Sequence, residues 1–298
     1  MAIAREPLAL DNVLNFRDVA VYTNQHEDKP QLRLGQLYRS ARLDSASNSD
    51  KQKLQHEFGI GTIIDLRSKT EHIEAAQKHA KRVEASSAVT ALHSNDEIAK
   101  SIKIPNIRYA EINLNGKGFE RHLVWQLSYG NLAALAGYML FGYRLQGISI
   151  IGKNVLLKRG LVGLGQDTLQ HSGPEIKQVF DVLADPKSYP VLVHCTQGKD
   201  RTGLIVMLVL LLCGISTNVI GADYMKSEPE LEPEFEERMK EIASIGLDES
   251  FARCPSDFVP EVVSFLNSQY GGVEKYLSSI GVSQKQLDSI KQMLIVSA

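Results

Sequence analysis

The sequence predicts an α/β fold built on a mainly parallel sheet. Three observations predict it. Two short apolar runs bounded by Gly or Pro, Gly61–Leu66 (GTIIDL) and Pro190–His194 (PVLVH), have the length and content of buried strands. Helical patterns separate them in the order that βαβ units require. A ten-residue all-apolar run, Leu204–Cys213 (LIVMLVLLLC), follows the second strand and reads as a central core helix.

Taken in chain order, a turn-rich patch at Asn24–Pro30 leads to a short strand at Leu34–Tyr38 and a helix from about Ser49 to Phe58. The strand Gly61–Leu66 precedes a charged helix, Lys69–Ala85, and a polar stretch, Ser86–Lys103, read as a loop or mobile excursion. Ile107–Leu114 reads as a strand and 120–144 as a helix. Pro174 suits a first helical turn and opens a helix to Leu183. Pro190–His194 and the core helix Ile205–Cys213 follow, and the remainder is helical.

At about 100–200 residues per domain, 298 residues make one large domain or two small ones. No Gly/Ser linker marks a boundary, so 1–298 is read as one domain with helical elaborations. With 33 Lys+Arg against 35 Asp+Glu, the net charge of −2 excludes the basic footprint of a general nucleic-acid binder. It leaves room for a local anion site. Three cysteines argue against a disulfide scaffold and for a reducing, cytoplasmic compartment. The N-terminus, with Arg5, Glu6 and Asp11, lacks the apolar core of a signal peptide. Leu204–Cys213 is about half the roughly 20 residues that span a bilayer, so no transmembrane segment is expected. Leu123–Tyr143 is longer but interrupted by Gln126, Ser128 and Asn131; it reads as a buried or partly exposed helix, with a membrane-touching surface as the alternative. The glutamate-rich run 226–242 reads as a solvated helix entered through Pro233, with a lid as the alternative.

The chemistry is concentrated in Val191–Gly203 (VLVHCTQGKDRTG): a buried strand, a cysteine, five residues, an arginine, then Thr-Gly opening an apolar helix. Such a loop wraps backbone N–H groups of Thr196, Gln197, Gly198, Lys199 and Asp200 around one point, and the helix N-terminus aims its positive end there. The result is a site for a phosphate-sized dianion. Arg201 adds a planar fork that grips two phosphate oxygens. Gly198 lets the loop turn without a Cβ intruding. Cys195 begins the nest, where the positive field favours thiolate over thiol. It is placed to attack phosphorus, giving a cysteinyl-phosphate while Arg201 and the amides hold the equatorial oxygens. Thr202 is suited to donate a hydrogen bond to the departing sulfur, and His194 to orient the cysteine through its ring. Neither metal nor cofactor is needed, since nest and arginine supply the positive charge. Cys213 falls in the core helix and Cys254 has no partner motif.

These residues resemble the cysteine-dependent protein tyrosine phosphatases, and HCTQGKDRTG is similar to the tyrosine/serine phosphatase family of bacteria and fungi, which has lipid-phosphatase members. The resemblance continues through Asn15-Phe16-Arg17-Asp18, Leu37-Tyr38-Arg39-Ser40, the segment Thr62 to Arg67, Ala222 to Ser227 and Gly271 to Leu277. It implies a phosphatase-type central sheet flanked by helices, with turnover of phosphotyrosine, and of phosphoserine or phosphothreonine, through a phosphocysteine. The implied partners are phosphorylated proteins. Lys199, a second cation in the loop, suits substrates with more than one phosphate, such as phosphoinositides, although Asp200 offsets it and the alternative is a lysine directed to solvent. A phosphate-binding adaptor would keep the nest without turnover, and a rhodanese-like sulfurtransferase would also use a loop cysteine.

The leaving group needs a proton, which relatives draw from an aspartate on a mobile loop. Residues 113–118, after the corresponding strand, contain no acid. Asp65, at the end of a predicted strand, is the first candidate, with pairing to Arg67 or Arg39 as its structural alternative. Asp200, inside the loop, is the second. Asp223 is expected to brace the helix after the loop, and Arg17 and Arg39 to approach the phosphate or its loop.

Overall fold

The computed structural model describes residues 10–27, 31–86 and 103–296. The chain divides into two compact units: Met1–Leu114 with Gln178–Thr202 and Lys285–Ala298, and Asn115–Lys177 with Gly203–Gln284.

The first unit carries a five-stranded sheet of β1 (Arg17–Asp18), β2 (Leu37–Ser40), β3 (Thr62–Asp65), β4 (Arg108–Glu111) and β5 (Val191–His194). Its order is β1-β2-β5-β3-β4. The pairs β2–β5, β5–β3 and β3–β4 are parallel, and β1 pairs with β2 antiparallel. The α/β expectation therefore holds. Strands β3 and β5 are buried along their whole length, which is why they appear in the sequence as unbroken apolar runs. Strand β2 lies three residues beyond the expected Leu34: Gly35 turns the chain at φ +74°, and Leu34 is 54% exposed. Arg39 and Ser40, which do not read as strand residues, complete β2 because the Arg39 guanidinium donates to the Gly198 carbonyl beyond β5 and the Ser40 hydroxyl to the Ala41 carbonyl. Strand β4 is only the first part of the expected Ile107–Leu114 and is partly exposed. The register aligns Ser40, His194 and Asp65 across three adjacent strand ends, the place where parallel sheets collect functional groups. Below them, Phe16 stacks on Tyr38 (5.6 Å) and contacts Phe58 (4.9 Å) in a core with Ile63 and Leu192.

Asn24 and His26, expected in a turn, close the helix Val19–His26, and 28–30 lie outside the described residues. The polar stretch 86–103 lies almost wholly outside them too.

The second unit is helical. The helix expected over 120–144 is broken into Lys117–Trp125 and Tyr129–Leu140, and a further helix, Arg144–Ile151, begins where it was to end. Ser128 caps the second by accepting from the Asn131 N–H (3.3 Å), and Gly142 at φ +80° ends it. Within 123–143, Leu123 and Leu135 are buried, while most of the other residues are exposed. The run 226–242 is also broken, into Ser227–Leu231, a tight turn at Glu232–Glu234 holding Pro233, and Phe235–Ser244. It is less solvated than expected: Glu228 accepts from the Cys254 N–H (2.9 Å), and Ile242 is fully buried. The helix Asp200–Leu212 is the expected core helix, with Leu204–Leu210 at most 2% exposed. Among the described residues no helix is long and apolar enough to cross a membrane.

Candidate active site

The loop from Cys195 to Lys199 joins β5 to the helix Asp200–Leu212. Its carbonyls are tied back. The Arg42 N–H donates to the Thr196 carbonyl (3.0 Å). Asn15 Nδ2 donates to the carbonyls of Gln197 (3.0 Å) and Gly198 (3.2 Å), and Arg39 Nη2 to that of Gly198 (2.7 Å). In a trans peptide the N–H points away from its C=O. Anchoring three successive carbonyls therefore turns the N–H groups of Gln197, Gly198 and Lys199 to the opposite side, as an anion nest requires. Gly198 sits at φ +66°, and a Cβ there would collide with the Ser40 carbonyl, so only glycine fits. Arg39 thus reaches the loop directly. Arg17 reaches it through Asn15, donating from Nη1 to Asn15 Oδ1.

Arg201, in the first turn of the helix, is held end-on by Glu71. Nη1 donates to Oε2 (2.8 Å) and Nη2 to Oε1 (2.7 Å), while Thr196 Oγ1 donates to Oε1. Burial opposes both charges. The ion pair outweighs it, holding Glu71 well below the usual carboxylate range and making Arg201 a still weaker acid than a free guanidinium. Glu71 is fixed from its own side, accepting at Oε2 from Ser68 N–H and Oγ (both 2.9 Å) at the start of the helix Lys69–Ser86. Ser68 and Glu71 form a capping box, which Ser-Lys-Thr-Glu announces in sequence. What that signature does not announce is the second job of Glu71, on an arginine 130 positions away. Neither Asn15 nor Glu71 stands out alone in the sequence; the signal for Asn15 is the Asn-Phe-Arg-Asp block.

Asp65 lies in a different network. It accepts from Arg67 Nη2 (2.8 Å), Nε (3.0 Å) and backbone N–H (3.0 Å), and His194 Nε2 stands 3.3 Å away. Burial opposes its charge, but His194 and Arg67 overcome that and hold the carboxyl far below its ordinary value. Arg67 also donates to Asp44 Oδ2 (2.6 Å). His194 is buried, which pushes its pKa down, and Nδ1 lies 3.2 Å from the Cys195 carbonyl. The ring thus links the first loop residue to Asp65 through the backbone.

Cys195 is free and 3% exposed. Lys199 is fully buried, not directed to solvent, with Nζ 3.6 Å from Asp200 Oδ1. Asp200 is about a third exposed at the side chain, and its Oδ1 has no hydrogen-bond partner. Thr202 Oγ1 is buried with no hydrogen-bond partner. Gln197 is buried near the end of Asn15, and Asp223 is buried in the helix Thr217–Met225 of the second unit. Cys213 and Cys254 are buried and, among the described residues, form no disulfide.

The sequence is similar to those of known phosphatases. A tyrosine-protein phosphatase of Nostoc commune is 38% identical over 135 residues, spanning 42% of this chain and 46% of that protein, about half its length. The triple specificity protein phosphatase PtpB of Mycobacterium tuberculosis is 26% identical over 313 aligned positions, covering 96% of this chain and 98% of that one. A putative tyrosine-protein phosphatase of Cupriavidus necator is 22% identical over 92% of this chain and 83% of its own. The family itself matches residues 8–132 and 153–296, through both units and the whole of the loop, and on that match the chain belongs to the tyrosine phosphatase family.

Proposed function

We propose that this phosphatase hydrolyses phosphotyrosine, and phosphoserine or phosphothreonine with it, through a phosphocysteine on Cys195, and that residues 1–298 act as one catalytic domain. The observation that carries the reading is the loop's tied-back carbonyls beside an arginine fixed by Glu71. With its end-on edge on Glu71, Arg201 keeps Nε–H and, by giving up the long bond from Nη2 to Thr196 Oγ1 (3.4 Å), offers the outer Nη2–H as well, for two phosphate oxygens. Cys195 Sγ attacks phosphorus in line, the S–P bond forms, and the ester P–O bond breaks with charge spread over oxygens facing the nest. The leaving oxygen takes a proton. Water then attacks phosphorus and gives one of its own protons to the carboxylate that the acid left, the S–P bond breaks, Cys195 departs as thiolate, and phosphate is released. Thr202, with its unpartnered hydroxyl, suits stabilisation of the departing sulfur.

Asp200 is the better supported acid. Asp65 is engaged by Arg67 and His194 and, held so far below the usual range, carries no proton at neutral pH. Asp200 sits in the loop with one oxygen free of hydrogen bonds. His194 acts by positioning Cys195, not as a base.

Phosphoinositides are the second reading. It is favoured by Lys199, a second cation in the loop. A reducing compartment such as the cytoplasm belongs to the same proposal, because an oxidised Cys195 cannot attack phosphorus.

One experiment tests the reading: a panel of phosphopeptides, phosphoinositides and aryl phosphates of graded leaving-group pKa, run on the wild type, Cys195→Ser and Asp200→Asn. Cys195→Ser is expected to lose about 1,000-fold or more in kcat on every substrate. Asp200→Asn is expected to lose roughly 100-fold on alkyl phosphates and little on activated aryl phosphates. Full activity in Cys195→Ser defeats the mechanism, and a flat leaving-group profile in Asp200→Asn moves the acid elsewhere.

A further inference from the structure

Nine of the thirteen exposed large hydrophobic side chains among the described residues fall between Trp125 and Leu145. Trp125 is 81% exposed, Tyr129 94%, Leu140 80% and Phe141 75%. They lie on two helices, Tyr129–Leu140 and Arg144–Ile151, with Trp125 just before them. A soluble protein seldom leaves so concentrated an apolar surface open unless something covers it.

The two helices pack on each other. Leu135 and Gly147 are buried between them, and a Cβ on Gly147 would come 3.2 Å from Met139 Cε and 3.3 Å from Leu135 Cδ1. The connecting turn is tight: the Tyr143 N–H donates to the Tyr138 carbonyl (2.8 Å), and the two tyrosine rings meet edge to face at 6.3 Å. The exposed residues are therefore a rigid outer surface of the hairpin, with Leu140 and Phe141 at its tip.

Charge says what kind of surface would cover it. From Arg121 to Gln166 the chain holds no Asp or Glu, although acids outnumber bases overall, 35 to 33. Arg121, Arg144, Lys153 and Lys158 in that stretch are exposed. The hairpin itself carries Arg144 and no acid, and a cation beside exposed Trp, Tyr and Phe matches an anionic lipid interface, where aromatic rings sit at headgroup level and cations meet lipid phosphates. A second copy of the chain fits worse, because a two-fold contact would set like charges against each other. The hairpin is also of the right size to lie on a bilayer and not cross it. Its longer helix, 12 residues, spans about 18 Å against a hydrocarbon core of roughly 30 Å.

We propose that the hairpin Tyr129–Ile151, with Trp125 at its base, docks the protein on an anionic lipid surface. The proposal is independent of the phosphatase mechanism.

Trp125 is the single tryptophan of the chain, so its fluorescence reports on this surface alone. The full chain is mixed with vesicles of phosphatidylcholine, with or without about 30% phosphatidylserine. The expected result is a blue shift and protection from aqueous quencher on the anionic vesicles, with matching co-sedimentation. Binding should weaken by about 10-fold or more on neutral vesicles and in high salt. The double variant Leu140→Ser/Phe141→Ser should bind anionic vesicles at least about 10-fold more weakly with an unchanged circular dichroism spectrum. Unshifted wild-type fluorescence overturns the proposal even if the variant fails to fold. So does equal binding to neutral and anionic vesicles, or a concentration-dependent dimer that the same substitutions abolish in a protein that binds no vesicles.

Discussion

The phosphate loop and the Tyr129–Ile151 hairpin invert the ordinary distribution of side chains in opposite directions. Around the loop, polar and charged groups are buried: Arg39, His194, Lys199 and Thr202 are each at most 1% exposed. On the hairpin, aromatic and aliphatic groups face outward. Burying a charge is unfavourable unless it is paired and hydrogen-bonded, and around the loop Asp65, Glu71 and the backbone carbonyls meet that condition within the chain, while Thr202 Oγ1 is left without a hydrogen-bond partner. Asp65 has Arg67 and His194, Glu71 has Arg201, Thr196 and Ser68, and the loop carbonyls have Asn15 and Arg39. The hairpin's exposed apolar area has no such offset among the described residues. The difference teaches where each region finds its partner: the loop is preorganised by its own protein for a small anion, whereas the hairpin is completed from outside.

If the loop is stabilised from within, the largest loss should come from breaking one of its buried pairs. Asp65→Asn leaves Arg67 and His194 facing a neutral amide, and the stability lost at neutral pH should be about 3–5 kcal/mol, read from urea unfolding. The pH dependence has a definite sign. The folded carboxyl is held far below its ordinary value of 3.8, so its stabilisation is present above that value. It is lost as pH falls below 3.8 toward the folded value. The wild type should therefore show a steep acid limb below about pH 4 that is shallower in Asp65→Asn. Equal acid limbs would mean that the Asp65 pair adds nothing to the fold, and the comparison would lose its first half.

A smaller effect is expected from Glu71→Gln, because the fork of Arg201 keeps one acceptor oxygen and loses the charge. KM for an aryl phosphate should rise about 10-fold with kcat changed by less than about 3-fold. That split marks positioning of the phosphate-binding group; an equal fall in kcat would instead place Glu71 in the chemical step.

The sequence exposes the parts of this site whose chemistry is local. Cys195, Gly198 and Arg201 fall within seven residues, and their strand and helix are apolar on all sides, so both loop and scaffold could be read directly. Strand β2 was displaced because Arg39 and Ser40 look like loop residues until the Gly198 carbonyl, 159 positions away, explains Arg39. Asp65 was a fair candidate by position, at a strand end beside β5, but its environment decides its charge, and that depends on Arg67 and His194 together. Glu71 and Asn15 act across separations of 130 and 182 residues, for which no spacing rule exists. A single helix over 120–144 runs together Lys117–Trp125 and Tyr129–Leu140 because Ser128 and Gly142 interrupt an otherwise helical pattern; in sequence, apolar residues of a buried helix and of an exposed one look the same.

The hairpin's side of the comparison yields the smallest effect and the most direct check on it. Phe141 is 75% exposed at the tip of the turn, so Phe141→Ser should change the free energy of unfolding by less than about 0.5 kcal/mol, as for other surface positions. Burying a phenylalanine contributes roughly 1.5–3 kcal/mol. A loss of that size in urea unfolding would therefore show that the ring is packed against this chain in solution. The apolar surface would then be covered from within, like the loop's charges, and neither the contrast between the two regions nor an external partner for the hairpin would stand.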